Sequence, residues 1–211
     1  RWGFTTPPKL TLKSLMSFAL HPKWALNYLM NEKFELANVS HFTKKGSSIA
    51  KGVMEYINEQ YDPAMGWKDA EYCIKRWGGP FAIKGVMSVE DAKRAVEIGA
   101  SAIMLSNHGG RQLDGSRAPF DQLPSIADAV GGKIEIILDG GIRRGTQVLK
   151  ALSLGATACS FGKGFLFGLG AGGQEGVEAI LQRMHDEIRR DMILLGSKSI
   201  KELNKDNIAF R

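Results

Sequence analysis

The sequence predicts an α/β fold built on a parallel sheet: four βα units, amounting to half of an eight-unit (β/α)8 barrel of the TIM type. Three observations predict it. Strand-like and helix-like segments alternate from Trp67 onward, and such alternation calls for right-handed crossovers that cover a parallel sheet with helices. Two stretches, "AVEIGASAIMLSNHGG" and "ALSLGATACSFGKGF", repeat one order of helix, Gly-Ala, apolar strand and glycine-containing turn, as a repeating βα unit does. The chain has 211 residues, whereas eight such units take about 250.

The leading segment "LTLKSLMSFALHPKWALNYLMNEKF" mixes Leu, Met, Phe and Trp with a few lysines and lacks strand alternation; Pro22 should break or start a helix in it. "TKKGSS" reads as an exposed loop before a helix around "SIAKGVMEYINEQY". "GWKDAEYCIKRW" is helix-like, and after a Gly-Gly-Pro break "GGPFAIKGV" is strand-like. In "SVEDAKRAVEIGA", Ser88 is a candidate N-cap with Asp91 three residues on; Ala92, Ala95, Val96 and Ile98 fall at helical spacing and Gly99 is a stop. Strand "SAIMLSNH", helix "FDQLPSIADAVGG", strand "KIEIILDGG", helix "RGTQVLKALSLGA", strand "TACSFGKGF" and a long closing helix "GQEGVEAILQRMHDEIRRDMILLG" complete the series. The expected division is a variable loop and helical segment over residues 1–46 and the half-barrel over residues 47–211.

Composition narrows the partners. With 44% apolar and 24% charged residues, the chain is ordinary for a soluble globular protein. Its net charge of +6 suits anionic ligands or anionic lipid, but the basic residues are spread out and no nucleic-acid motif accompanies them, so no nucleic-acid partner is expected. Cys73 and Cys159 lack metal-type spacing and read as core thiols of a reducing, cytoplasmic compartment. No apolar run reaches the roughly 18 residues of a membrane span. The first residue is Arg1, not Met, so the numbering is read as starting inside a longer chain.

The candidate chemistry gathers at strand ends. "LSNHGGRQLDG" places His108 and Arg111 three residues apart in a glycine-rich turn after an apolar strand, offering a proton acceptor beside a planar fork for a carboxylate. "LDGGIRRG" combines Gly140, Gly141 and Gly145 with Arg143, Arg144 and a following helix N-terminus, which suits a phosphate. The next strand ends in Gly162, Lys163 and Gly164; barrels frequently hold phosphate with the loops after their last two strands. Lys84, at the end of an apolar strand, either snorkels to the surface or meets an anion there, and the polarity of the other strand ends favours the anion. His21, His41 and His185 read as surface or structural histidines, and no carboxylate cluster resembles a metal site.

These motifs resemble the FMN-dependent α-hydroxy-acid oxidases and dehydrogenases, the family of glycolate oxidase, L-lactate dehydrogenase and mandelate dehydrogenase. "SNHGGRQLDG" is similar to that family's active-site signature, "IKGV" to its flavin-facing lysine strand, "LDGGIRRG" to its phosphate loop, and "W.DAEYCIKRWGGP" to the helix that leads into the lysine strand. "RWGFTTPPKLTLKSL" resembles the segment after the family's fourth barrel strand, so the likeness covers essentially the whole chain but only the C-terminal half of a member. The resemblance implies FMN as cofactor and a small 2-hydroxy acid as substrate, with oxygen or a quinone as onward acceptor. By position, His108 would take the substrate proton and Arg111 clamp its carboxylate. Lys84 would stabilise the anion that develops on the reduced flavin. Ser106 would contact the flavin ring, Asp139 the ribityl chain, and Gly140, Gly141, Arg143, Gly162 and Lys163 the phosphate. The family usually has Arg where Lys163 stands; Lys keeps the charge but loses the bidentate fork.

The resemblance also implies absences. In the family the first four strands carry the substrate-contacting tyrosines, the carboxylate that orients the catalytic His and many backbone contacts to the ring. The chain is therefore expected to be a fragment, a truncated reading frame or one piece of a split chain, with two open barrel edges. Members are often tetramers, which makes a homo-oligomer the expectation. The leading segment corresponds to a variable loop that in some bacterial members docks on the membrane; its apolar residues beside Lys9, Lys13, Lys23 and Lys33 suit an interfacial helix on the inner face, or else it packs over the active site or a neighbouring subunit. Two other readings stand beside this one: a different FMN- or phosphate-binding barrel, such as a type 2 isopentenyl diphosphate isomerase or an IMP dehydrogenase relative, and a non-catalytic half-barrel that binds flavin or phosphate. The His108–Arg111 pair argues against the first.

Overall fold

A computed structural model of the chain describes residues 11–31, 38, 56 and 59–209. The chain divides into two compact units, Arg1–Met65 and Gly66–Arg211. The expected boundary between residues 46 and 47 and the "TKKGSS" loop lie outside the described residues, as does most of the expected helix at 48–61.

In the first unit, helix α1 (Leu12–Leu20) starts at Thr11, whose hydroxyl accepts the Ser14 N–H at 3.2 Å. Pro22 opens α2 (Pro22–Met30), a position where its missing N–H costs nothing. Phe18, Trp24 and Tyr28 stack in series, with ring centroids 5.5 and 5.4 Å apart. Leu12, Leu20, Leu29 and Met30 are strongly exposed. No helix among the described residues is long and apolar enough to cross a membrane.

The second unit opens with α3 (Trp67–Trp77), which leads into β1 (Ala82–Lys84), α4 (Val89–Glu97), β2 (Ala102–Leu105), α5 (Pro119–Val130), β3 (Glu135–Asp139), α6 (Gly145–Ser153), β4 (Ala158–Ser160) and α7 (Lys163–Leu195). The sheet order is β1-β2-β3-β4 and every pairing is parallel. These are four βα units, each strand neighbouring the next in sequence, as in half of a (β/α)8 barrel. Ser88 caps α4 as its spacing predicts, its hydroxyl accepting the Asp91 N–H at 3.1 Å. Among the described residues β1 and β4 each have one strand neighbour.

Register separates two faces of the sheet. Ile103 pairs with Ile136 and Leu105 with Leu138; all four are essentially inaccessible and pack in one core with Ala92, Ala95, Leu123, Ile126, Val130 and Leu154 from α4, α5 and the end of α6. The alternate residues face the other way. Ala82, Lys84 and Ala158 are exposed, and Met104 and Ile137 are half-buried. The sheet is therefore covered by helices on one side and open on the side that lines the interior of a barrel.

Two expectations need correction. The closing helix begins at Lys163 rather than near Gly173, and it is broken by non-helical backbone at Gly172 and Gly173. The break folds a short first helix back on the longer second one: a Cβ on Gly168 would come within 2.6 Å of the Gly176 carbonyl, so only glycine allows this backbone contact. Cys73 is exposed instead of lying in the core, because α3 packs through Trp67 and Ile74 and position 73 lies off that stripe. Cys159 is half-buried, and burial pushes its thiol up to about 11.

Candidate active site

The C-terminal ends of the four strands carry the polar residues of the sheet. Lys84 is the last residue of β1, Ser106 follows β2, Asp139 ends β3, and Phe161, Gly162 and Lys163 follow β4. All of these but Ser106 border a cleft of about 470 Å³. Its ionisable lining consists of Lys84, His108, Arg111, Asp139, Arg143 and Lys163; Gly140, Gly141 and Gly162 supply backbone, and Phe120, Phe161 and Leu166 an apolar wall. Of the ten residues to which the resemblance assigns roles, nine thus meet in one cleft, whereas Arg144, Gly145 and Gly164 do not line it. The tenth, Ser106, is buried behind it at 4% exposure.

The turn after β2 has an uncommon backbone. His108, Gly109 and Gly110 have φ of 58°, 68° and 70°, and His108 is the one non-glycine residue with positive φ among the described residues. A left-handed non-glycine residue costs roughly 1–2 kcal/mol, so surrounding contacts must hold it. Asn107 caps the turn, its Oδ1 accepting the Gly110 N–H at 3.1 Å while its Nδ2 donates to the Arg117 carbonyl at 3.2 Å. Ser106 Oγ accepts the His108 N–H at 3.1 Å. Gln112 Nε2 lies 3.0 Å from His108 Nδ1.

Asp139 is the acidic counterpart of this basic cleft. Its Oδ2 accepts a 2.5 Å hydrogen bond from Ser106 Oγ and lies 3.5 Å from Lys84 Nζ. Burial alone would raise its pKa; hydrogen bonds from Ser106 and Ser160 and the Lys84 ammonium outweigh that effect and hold the carboxyl below the ordinary aspartate range. Lys84 therefore meets an anion at its strand end, and that anion is a residue of the chain.

The loop after β3 differs from the expectation in one respect. The N–H groups of Arg143 and Arg144 both donate to Gln147 Oε1, at 2.7 and 3.1 Å, and the Gly145 N–H donates to Glu187 Oε2 at 2.8 Å. Arg144 Nε reaches Glu187 Oε1 at 2.6 Å and does not line the cleft. The start of α6 is consequently satisfied from within, and Gly145 is needed for close helix packing: a Cβ there would meet the Met184 carbonyl at 2.6 Å. The start of α7 is different. Gly162 caps it without a side-chain hydrogen bond, leaving first-turn N–H groups beside Lys163, which is how a helix N-terminus receives an anion.

The cleft fits a phosphate-bearing cofactor. Gly140 and Gly141 have φ of 92° and 75°, and at both, as at Gly162, the place a Cβ would occupy is open; Arg143, Lys163 and Lys84 furnish the cations. Sequence reasoning missed Asn107, Gln112 and Ser160. Asn107 carried a local signal, since Asn before a glycine-rich turn commonly caps it; Ser160 meets Asp139 across the sheet, which no local pattern reveals.

Known proteins resemble this chain in sequence and in fold. The FMN-dependent dehydrogenase family matches residues 1–210. An L-lactate dehydrogenase of Xanthomonas campestris pv. campestris (strain 8004) is 42% identical over 206 residues, covering 96% of this chain and 52% of that protein. The crystal structure of a monotopic membrane protein, (S)-mandelate dehydrogenase, superimposes with a TM-score of 0.86 at 32% identity, covering 96% of this chain and 53% of that one. The flavin-binding domain of baker's yeast flavocytochrome b2 gives a TM-score of 0.67 at 47% identity over 69% of this chain and 38% of that one. The chain thus spans about half the length of the relatives it matches. The fold of its second unit is that of half an FMN-enzyme barrel, and the chain belongs to the FMN-dependent dehydrogenase family.

Proposed function

We propose that this chain contributes the cofactor-phosphate cradle and the proton-accepting side of a site that oxidises a small L-2-hydroxy acid to the 2-oxo acid. The observation that carries the reading is the convergence of His108, Arg111, Lys84, Arg143 and Lys163 on one cleft at the strand ends. FMN, when bound, would supply the acceptor for the two electrons and one hydrogen that leave the substrate Cα, the hydroxyl proton going to His108, with oxygen or a quinone as the onward acceptor. Lys163, the first-turn amides of α7 and Arg143 bind the phosphate. Lys84 would place its positive charge beside the bound cofactor, where it would favour the anionic form.

Arg111 holds the substrate carboxylate with its planar guanidinium, which fixes the α-carbon relative to the turn. His108 takes the proton released in the oxidation. Gln112 Nε2 lies against Nδ1 of the imidazole and steadies the ring from that side. Phe120, Phe161 and Leu166 form an apolar wall beside this exchange.

The test is the visible spectrum of the chain with FMN, before and after L-lactate is added without oxygen. The reading expects bound flavin that bleaches, with His108→Ala keeping the flavin but losing the bleaching, and Arg111→Met requiring far more lactate. Bound flavin that never bleaches would instead support a non-catalytic flavin- or phosphate-binding half-barrel.

A second reading concerns the first unit. The exposed Leu12, Leu15, Met16, Leu20, Leu29 and Met30, with the Phe18–Trp24–Tyr28 stack and Lys13 and Lys23 nearby, suit peripheral docking on an anionic membrane surface. The similarity to a monotopic membrane enzyme supports it.

A further inference from the structure

We infer that Asp139 is a positioning residue for His108, acting through Ser106 to lock the left-handed turn that carries the imidazole into the cleft. The inference rests on the reading of His108 as the proton acceptor. It starts from the proton inventory of one hydroxyl. Ser106 has a single O–H, and Asp139 Oδ2 takes it at 2.5 Å. With its proton directed at β3, the hydroxyl oxygen presents lone pairs only, and one of them accepts the His108 N–H at 3.1 Å.

This matters because His108 holds φ of 58°, a conformation its side chain disfavours. The N–H to Oγ bond is a restraint on the residue itself, whereas Asn107 grips the turn two residues later at Gly110. Ser106 is 4% exposed, so no solvent replaces either partner. Asp139 is fixed in turn from three strands: Lys84 on β1 at 3.5 Å, Ser106 after β2 and Ser160 on β4. Lys84 is the cation that faces it. Protonation of Asp139 would make the carboxyl a donor, free the hydroxyl to rotate, and remove the reason for Oγ to face His108.

The experiment tracks the His108 backbone amide by NMR in the 15N-labelled chain while pH is lowered, beside the side-chain carboxyl carbon of Asp139. The expected result is that the His108 amide shift titrates with the midpoint of Asp139, below the ordinary aspartate range. Asp139→Asn abolishes that titration. Ser106→Ala speeds hydrogen exchange at His108 at least tenfold and leaves Asp139 titrating, and Ser106→Thr restores slow exchange. A His108 amide that ignores the Asp139 titration in the unaltered chain overturns the inference, and that measurement needs no variant to fold. It also needs neither flavin nor substrate: coupling without lactate-driven bleaching would sink the catalytic reading alone, and bleaching without coupling would sink this one alone.

Discussion

Lys163 Nζ donates to the carbonyl of Gly109 at 3.1 Å, so the first residue of α7 is fastened to the turn that carries His108. The two lie in separate βα units, joined across the cleft by one ammonium. A phosphate arriving at the start of α7 competes with a neutral carbonyl for that ammonium, and charge-assisted bonds win such contests.

Replacing the lysine tests its part in the cradle. Lys163→Met removes a charge-assisted hydrogen bond worth about 1.5–3 kcal/mol, which weakens FMN binding roughly 10- to 100-fold. Lys163→Arg keeps the charge and adds a fork, so binding holds or tightens. Quenching of FMN fluorescence on titration measures both.

Glu187 should contribute to the dependence of stability on acid. Burial alone would raise its pKa, but the Gly145 N–H and the Arg183 and Arg144 guanidinium groups hold it below the ordinary glutamate range. A depressed carboxyl contributes stability that is present above its unfolded value and lost as pH falls through the folded one. Glu187→Gln should therefore lower stability at neutral pH by about 2 kcal/mol and flatten the fall in stability below the ordinary glutamate range. Urea unfolding across pH 2–7, a window spanning roughly the carboxylate range, reads both effects.

The first-unit helices make a separate prediction. On vesicles rich in anionic lipid, Trp24 fluorescence shifts to the blue and the chain cosediments; Lys13→Glu with Lys23→Glu weakens that binding, each lysine contributing about 1 kcal/mol. Neutral vesicles bind less. Cosedimentation unchanged by both the substitutions and the lipid charge would sink electrostatic docking.

The βα units were legible because each strand and helix carries its own local signal: the apolar run of residues 102–105, the Ser88 cap, the glycines after the strands. The strand-end cleft followed from topology, since equivalent ends of a parallel sheet converge. Other features depend on distant partners. Gly145 resembles a ligand-binding glycine until Glu187, 42 residues later, takes its N–H. Arg144 and Arg143 look alike in the chain, yet only one lines the cleft. The start of α7 was hidden because its glycines argue against helix by propensity, while Gly168 and Gly176 serve a backbone contact that forms only once the chain has folded back at Gly172 and Gly173.

The phosphate cradle is tested by an FMN titration of the unaltered chain beside Arg143→Met and Arg189→Met, two changes that remove the same charge from inside the cleft and from the exposed surface of α7. Saturable one-to-one binding is expected, weakened at least tenfold by Arg143→Met and unchanged by Arg189→Met. Absence of saturable binding, or an equal loss in both variants, would contradict a phosphate cradle at the strand ends.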